Sequence, residues 1–150
     1  MIFVLRFAPR LRKYKQTAPK KRGPPLRKQR VLIADDNEDL TNLIKHYIAL
    51  CDDLEISGVA RNGAETFELL QQEKPDVLIL DLVMPDMDGI EVLRKIHTLP
   101  NQPIIVVTSA LSNTVIKSEA LALGARTYFK KPIELETLIK QIRFLTACNH

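Results

Sequence analysis

Pro75-Asp-Val77-Leu-Ile-Leu80-Asp81 sets four consecutive branched apolar side chains between a proline and a carboxylate. A half-buried strand alternates apolar with polar residues. An unbroken Val/Leu/Ile run this short, bounded by turn signals, is the pattern of a strand covered on both faces. Two other runs match it: Val31-Leu-Ile-Ala34, ending in Asp35-Asp36, and Ile104-Ile-Val-Val107, ending at Thr108. Leu54-Glu-Ile-Ser-Gly-Val59 alternates like a strand, and Arg126 to Phe129 makes a fifth, punctuated by Pro132.

Helical spacing fills the intervals between these strands. Leu40, Leu43, Ile44, Tyr47 and Ile48 recur behind Asp36, Asn37, Glu38 and Asp39, which are placed to cap a helix start. A second helix follows the Asn62-Gly63 turn through Leu70, and a third follows Asp88-Gly89 with Ile90, Leu93 and Ile96. A fourth runs from about Ser112 to Leu123 and stops at Gly124. Leu135, Leu138, Ile139, Ile142 and Leu145 mark the last. Five strands alternating with five helices predict an α/β class: a doubly wound, five-stranded parallel sheet with helices on both faces.

The 150 residues suffice for one domain with an appendage. No apolar run approaches the ~20 residues of a bilayer span. Cys51 and Cys148 are too few and too far apart for a disulfide framework or a zinc site, which favours a reducing, cytoplasmic setting. The net charge of +4 conceals an asymmetry, because residues 1–30 hold eleven Lys/Arg and no Asp/Glu, leaving −7 on residues 31–150. That basic, proline-containing extension cannot bury enough apolar area to offset its ordering entropy, so disorder is expected. Its apolar start, Met1 to Leu5, precedes the charges and lacks a cleavage pattern, which argues against a signal peptide. It reads as a solvated tail, a mis-assigned start, or a patch for nucleic acid or an anionic membrane.

Ligands of open parallel sheets bind beyond the carboxyl ends of the strands. Those ends carry Asp35 and Asp36 (first), Asp81 (third), Thr108 (fourth) and Lys130-Lys131 (fifth). One strand-end Asp is ordinarily a cap or turn residue, but three carboxylates, a hydroxyl and an amine on one edge are harder to dismiss. Clustered carboxylates repel one another unless a cation intervenes. Hard oxygen ligands of this kind suit Mg²⁺. One carboxylate could then act as a nucleophile toward phosphorus while the ion and a lysine offset the developing charge. His46, His97 and His150 all lie away from this edge. Cys51, behind the first helical stripe, reads as a packed thiol.

Val31-Leu-Ile-Ala-Asp35-Asp36-Asn, Ile79-Leu-Asp81-Leu-Val-Met-Pro85-Asp-Met-Asp-Gly89, Val107-Thr108-Ser-Ala and Tyr128-Phe-Lys-Lys131-Pro132 together resemble the receiver domain of two-component response regulators. The match runs from about residue 30 to 147. The resemblance implies a CheY-like, flavodoxin-like (βα)5 sandwich over residues 31–150, with Asp81 as phosphoacceptor. Mg²⁺ would be held by Asp36, Asp81 and the backbone carbonyl of Val83, with Asp35 acting mainly through metal-bound water. Lys131 would pair with the phosphoryl group, Lys130 being one residue too early. Thr108 would be the switch hydroxyl and Tyr128 the switch aromatic, while Pro85 and Gly89 shape the neighbouring loop and Ser109 meets the need for a small side chain.

The implied partner is a histidine kinase or histidine phosphotransfer protein. The implied output is a change in the surface of the fourth helix, fifth strand and fifth helix, where family members form homodimers or dock partners. Such a domain catalyses its own phosphorylation and dephosphorylation without being an enzyme in the ordinary sense. Ala34-Asp-Asp-Asn37 is further similar to the receivers of stage 0 sporulation regulators.

Other readings compete. A haloacid-dehalogenase-type phosphatase needs a second Asp two residues after the nucleophile, where Val83 stands, and neither glycine-rich phosphate-loop motif occurs. A phosphorylation-independent receiver-like binding module remains open. The last predicted helix reaches nearly to His150, so a stand-alone receiver is the literal reading and the N-terminal part of a longer DNA-binding regulator its rival. Nothing in residues 31–150 resembles a DNA-reading motif, and a basic tail alone would give salt-sensitive, sequence-independent contacts. Val83 and Ala110, two residues beyond Asp81 and Thr108, offer no side-chain hydrogen bond to orient a hydrolytic water, which predicts a slowly decaying phosphoryl group.

Overall fold

The computed structural model describes residues 27–149. The expectation of disorder for the basic extension therefore falls, up to residue 26, outside the described residues. Strands β1 (Gln29–Ala34), β2 (Leu54–Ala60), β3 (Val77–Asp81), β4 (Ile104–Ser109) and β5 (Ala125–Lys130) alternate with helices α1 (Glu38–Ala49), α2 (Gly63–Glu73), α3 (Gly89–His97), α4 (Thr114–Ala122) and α5 (Leu135–Cys148). The strands form one parallel sheet in the order β2-β1-β3-β4-β5. This is the expected five-stranded, doubly wound arrangement.

Two cores follow from the two-residue period of the strands. Val31, Ile33, Val77, Ile79, Ile104 and Val106 point to one face and pack with Ile44 and Ile48 of α1 and Leu138, Ile139 and Ile142 of α5. Leu32, Leu78, Leu80, Ile105 and Val107 point to the other and pack with Leu70 of α2, Leu93 and Ile96 of α3 and Ala120 of α4. The unbroken apolar runs of β1, β3 and β4 thus have one physical cause, since each strand lines both cores.

Four helices begin on an Asx side chain that accepts a hydrogen bond from an otherwise unpaired amide of the first turn. Asn37 accepts from the Leu40 amide (3.0 Å), Asn62 from Glu65 (2.8 Å), Asp88 from Ile90 (2.9 Å) and Asn113 from Val115 (2.8 Å). The cap at Asn113 starts α4 at Thr114, two residues later than the periodicity predicts. Gly124 ends that helix region at φ 104°, a left-handed conformation glycine adopts without penalty. Leu43, included in the apolar stripe of α1, is instead exposed.

Two features lie beyond the periodic reading. Val83–Met84 and Met87–Asp88 pair as a small antiparallel hairpin between β3 and α3, turning through Pro85 and a left-handed Asp86 (φ 67°). Gln29 and Arg30, counted with the basic extension in the sequence, are the first two residues of β1. Both edge strands also carry one residue more than their neighbours: Ser57 in β2, between the partners of Val31 and Leu32, and Arg126 in β5, between those of Ile105 and Val106.

Candidate functional site

The sheet order reverses direction between β1 and β3, and the crevice beyond their carboxyl ends is where such folds bind ligands. Asp35 directly follows β1 and Asp81 is the last residue of β3. Both carboxylates are buried, and both are held in the same way. One oxygen of each accepts from the amide two residues on: Asn37 to Asp35 (2.8 Å) and Val83 to Asp81 (3.0 Å). The second oxygen of each accepts from the same ammonium, Lys131 Nζ, at 2.9 Å and 2.9 Å.

Lys131 reaches this position because its amide extends the β5 ladder by one step, donating to the Ser109 carbonyl at 2.7 Å. The Lys131–Pro132 bond is cis. Lys130 is exposed and outside the cluster. Asp36 is exposed, yet its carboxylate lies with those of Asp35 and Asp81 so that one oxygen from each falls within 4.8 Å of the others.

The electrostatics follow from burial. Burial is the largest influence on Asp81 and pushes its carboxyl above the usual range, against the Val83 amide and Lys131, with the Asp35 charge adding to the rise. Burial also works against the Lys131 ammonium, but the hydrogen bonds and charges of Asp35 and Asp81 outweigh it and hold the ammonium above its ordinary range. Three carboxylates facing one ammonium leave an excess of negative charge. Oxygen donors this hard and this close fit a small divalent cation.

Thr108 lies in β4 in register with Asp81, and its buried hydroxyl has no hydrogen-bond partner among the described residues. Three residues on, the loop into α4 is fastened at Leu111. The Leu111 amide donates to Ser109 Oγ (3.1 Å), and its carbonyl accepts from the Tyr128 hydroxyl (2.6 Å). Tyr128, half-buried on β5, therefore contacts the β4–α4 loop but makes no hydrogen bond to the carboxylates.

Sequence reasoning assigned Ser109 only small size and left Leu111 out. The signal available was a serine two residues before an exposed leucine, a spacing at which a hydroxyl can accept from the backbone. Val83 presents its amide to Asp81, while the residue as a whole is 54 % exposed. Pro85 forms the hairpin turn. Gly89 closes the hairpin, its amide donating to the Leu82 carbonyl at 3.0 Å.

A doubly wound sheet with paired carboxylates, a lysine and a buried hydroxyl on its carboxyl edge defines a CheY-type receiver fold. The model of the response regulator receiver domain family matches residues 31–143, and the chain belongs to that family. Among solved structures, the response regulator domain of Thermotoga maritima CheB is 31% identical, with a TM-score of 0.71 over 78% of this chain and 95% of that one. The Francisella response regulator 1452 receiver domain is 29% identical, with a TM-score of 0.75 over 81% and 99%. The BeF3-activated N-terminal receiver domain of Klebsiella pneumoniae RstA is 25% identical, with a TM-score of 0.70 over 77% and 97%. None of these relatives narrows the likeness to the sporulation regulators. Among the described residues, no helix is long and apolar enough to cross a membrane.

Proposed function

We propose that Asp81 is the phosphoacceptor of this receiver and takes its phosphoryl group from a histidine kinase or histidine phosphotransfer protein. An Asp81 carboxylate oxygen forms the new bond to phosphorus as the phosphorus–nitrogen bond of the donor phosphohistidine, protonated on its other ring nitrogen, breaks, leaving an acyl phosphate and a neutral imidazole. The observation that carries this reading is the Lys131 ammonium, 2.9 Å from both Asp35 and Asp81. A cation fixed at that point can follow charge from the carboxylate onto the phosphoryl oxygens.

Asp36, Asp81 and the Val83 carbonyl would hold Mg²⁺, with Asp35 acting through water. When bound, the ion supplies charge neutralisation for the transferring group. The buried, unpartnered Thr108 hydroxyl supports its role as donor to a phosphoryl oxygen, since an unmet buried donor gains most from a new acceptor.

The switch follows from the same contacts. Drawing Thr108 toward Asp81 pulls on the loop that Tyr128 holds at Leu111, so the change passes to α4, β5 and α5. The phosphoryl group biases a two-state equilibrium rather than creating a new state. That face is the proposed surface for partners or a homodimer, in the cytoplasm. Self-catalysed transfer and slow hydrolysis belong to the same proposal. The likeness of Ala34–Asn37 to sporulation regulators supports an output on DNA delivered by a domain outside residues 31–150.

The test is incubation with acetyl phosphate and Mg²⁺, followed by intact mass. A Mg²⁺-dependent phosphate adduct, lost in Asp81→Asn, is the expected result. An adduct that persists in Asp81→Asn would place the acceptor elsewhere. No adduct in a folded, Mg²⁺-binding wild type, even with phosphorylated partner, would favour a phosphorylation-independent module.

A further inference from the structure

Beside the carboxylates, between the hairpin and the β4–α4 loop, lies a cavity of about 420 Å³. Its apolar lining is Leu82 and Met84, which are buried, with Val83 and Leu111, which are large, apolar and exposed. Asp86, Asp88 and Glu91 complete the lining, and all three are exposed. Asp88 also caps α3, but none of the three carboxylates has an ion-pair partner among the described residues. A cleft that offers apolar contact and uncompensated negative charge is complementary to a segment that is both apolar and basic.

The geometry points to the chain's own residues 1–26 as the occupant of this cavity. That segment begins Met1-Ile-Phe-Val-Leu5, continues through Arg6, Phe7, Arg10, Leu11, Arg12, Lys13 and Lys15, and contains no carboxylate. It interleaves the two properties the cavity lacks a partner for. The chain enters the described domain at Arg27, whose guanidinium is fixed on Asp76 at 2.7 and 2.6 Å, next to the amino end of β1. The cavity is at the opposite end of the sheet, about 20 Å away along a six-residue strand. Twenty-six residues can reach roughly 85 Å, so length does not prevent the contact. Being tethered, the segment competes as an intramolecular ligand, and a contact too weak to hold a separate peptide suffices.

The contact is independent of phosphoryl chemistry and is tested without a phosphodonor. The full chain is treated with a carbodiimide at low ionic strength, as an equal mixture of unlabelled and heavy-nitrogen-labelled protein, and the amide links are mapped by mass spectrometry. Links from Lys13 or Lys15 to Asp86 or Glu91, within single chains, are expected. They should fall to background at about 1 M salt, where the screening length is about 3 Å. In the Asp86→Asn/Glu91→Gln variant, whose two changes are on the surface, the links to this cavity are lost. Independently, replacing Arg10, Arg12, Lys13 and Lys15 by Gln should move the amide resonances of Val83 and Leu111. Links spanning two chains would seat a second copy in the cavity and overturn the proposal. So would resonances unmoved by the Gln replacements, or tail lysines linked only to other carboxylates.

Discussion

At the scale of single residues, Lys131 is the group on which the site turns. Among the described residues it is the only ammonium bonded to two buried carboxylates, and its removal leaves Asp35 and Asp81 facing each other unscreened. Lys131→Met is expected to lower stability by about 2–3 kcal/mol in the absence of divalent ions. Urea midpoints measured with and without Mg²⁺ check this, and the deficit should narrow when Mg²⁺ is added.

Val83 carries a second prediction. Its side chain is exposed beside Asp81, the proposed acceptor, and has nothing with which to hold a water. Val83→Asn should accelerate decay of the aspartyl phosphate about tenfold, the equivalent of about 1.4 kcal/mol. A chase of the phosphorylated protein by intact mass reads it, and an unchanged or slower decay would remove the explanation for a long lifetime. At this scale the sequence was informative about placement, since the strand ends bring Asp35, Asp81 and Thr108 to one edge as their positions predict. It was silent on the tie of Tyr128 to Leu111, because two residues seventeen apart share no periodic signal.

At the scale of elements, the hairpin between β3 and α3 positions the backbone around Asp81, and Gly89 is what lets it close. A Cβ at Gly89 would stand 2.9 Å from the Asp81 carbonyl oxygen and nearer still to the Leu82 backbone. Backbone cannot rotate away as a side-chain tip can. Gly89→Ala is therefore expected to cost about 2–3 kcal/mol and to impair phosphate uptake along with stability. Thermal midpoint and adduct yield should fall together; a fully stable variant would mean the hairpin relaxes without strain. The five helices and five strands were readable from helical apolar spacing, from alternation or unbroken apolar runs in the strands, and from the turn residues between them. The hairpin was not, since Val83-Met-Pro-Asp-Met-Asp88 has arms of two residues, shorter than any period can register. Helix α4 shows the same limit, its start being fixed by the cap at Asn113 rather than by hydrophobic spacing.

At the scale of the whole molecule, the amino end of the sheet is fastened by charge. Asp76 accepts from both terminal nitrogens of the Arg27 guanidinium and from the Arg30 amide at 2.8 Å. Burial alone would raise its carboxyl, but the Arg27 and Arg30 hydrogen bonds and charges outweigh it and hold the carboxyl below the usual range. A depressed carboxyl stabilises the fold above its unfolded value of about 3.9 and loses that contribution as pH falls through the lower folded value. Asp76→Asn should therefore cost about 1 kcal/mol at neutral pH, modest because Arg27 is largely exposed, and the difference should close in strong acid. Urea midpoints of the two proteins across that range check it. This anchor could not be read from composition, which grouped Arg27 to Arg30 with the basic extension. What distinguishes them is carboxylate partners more than forty residues away.

An open sheet also has two outer strands whose free backbone groups could recruit another polypeptide. In this chain β2 and β5 each carry one surplus residue, Ser57 and Arg126. Such an insertion bends the strand and breaks the even spacing of its donors and acceptors. A straight ribbon from a second molecule then meets neither edge in register, and edge-to-edge growth into fibres is opposed from both sides. The irregularities that interrupt the ladder inside the domain thus help keep the domain apart from its neighbours at high concentration.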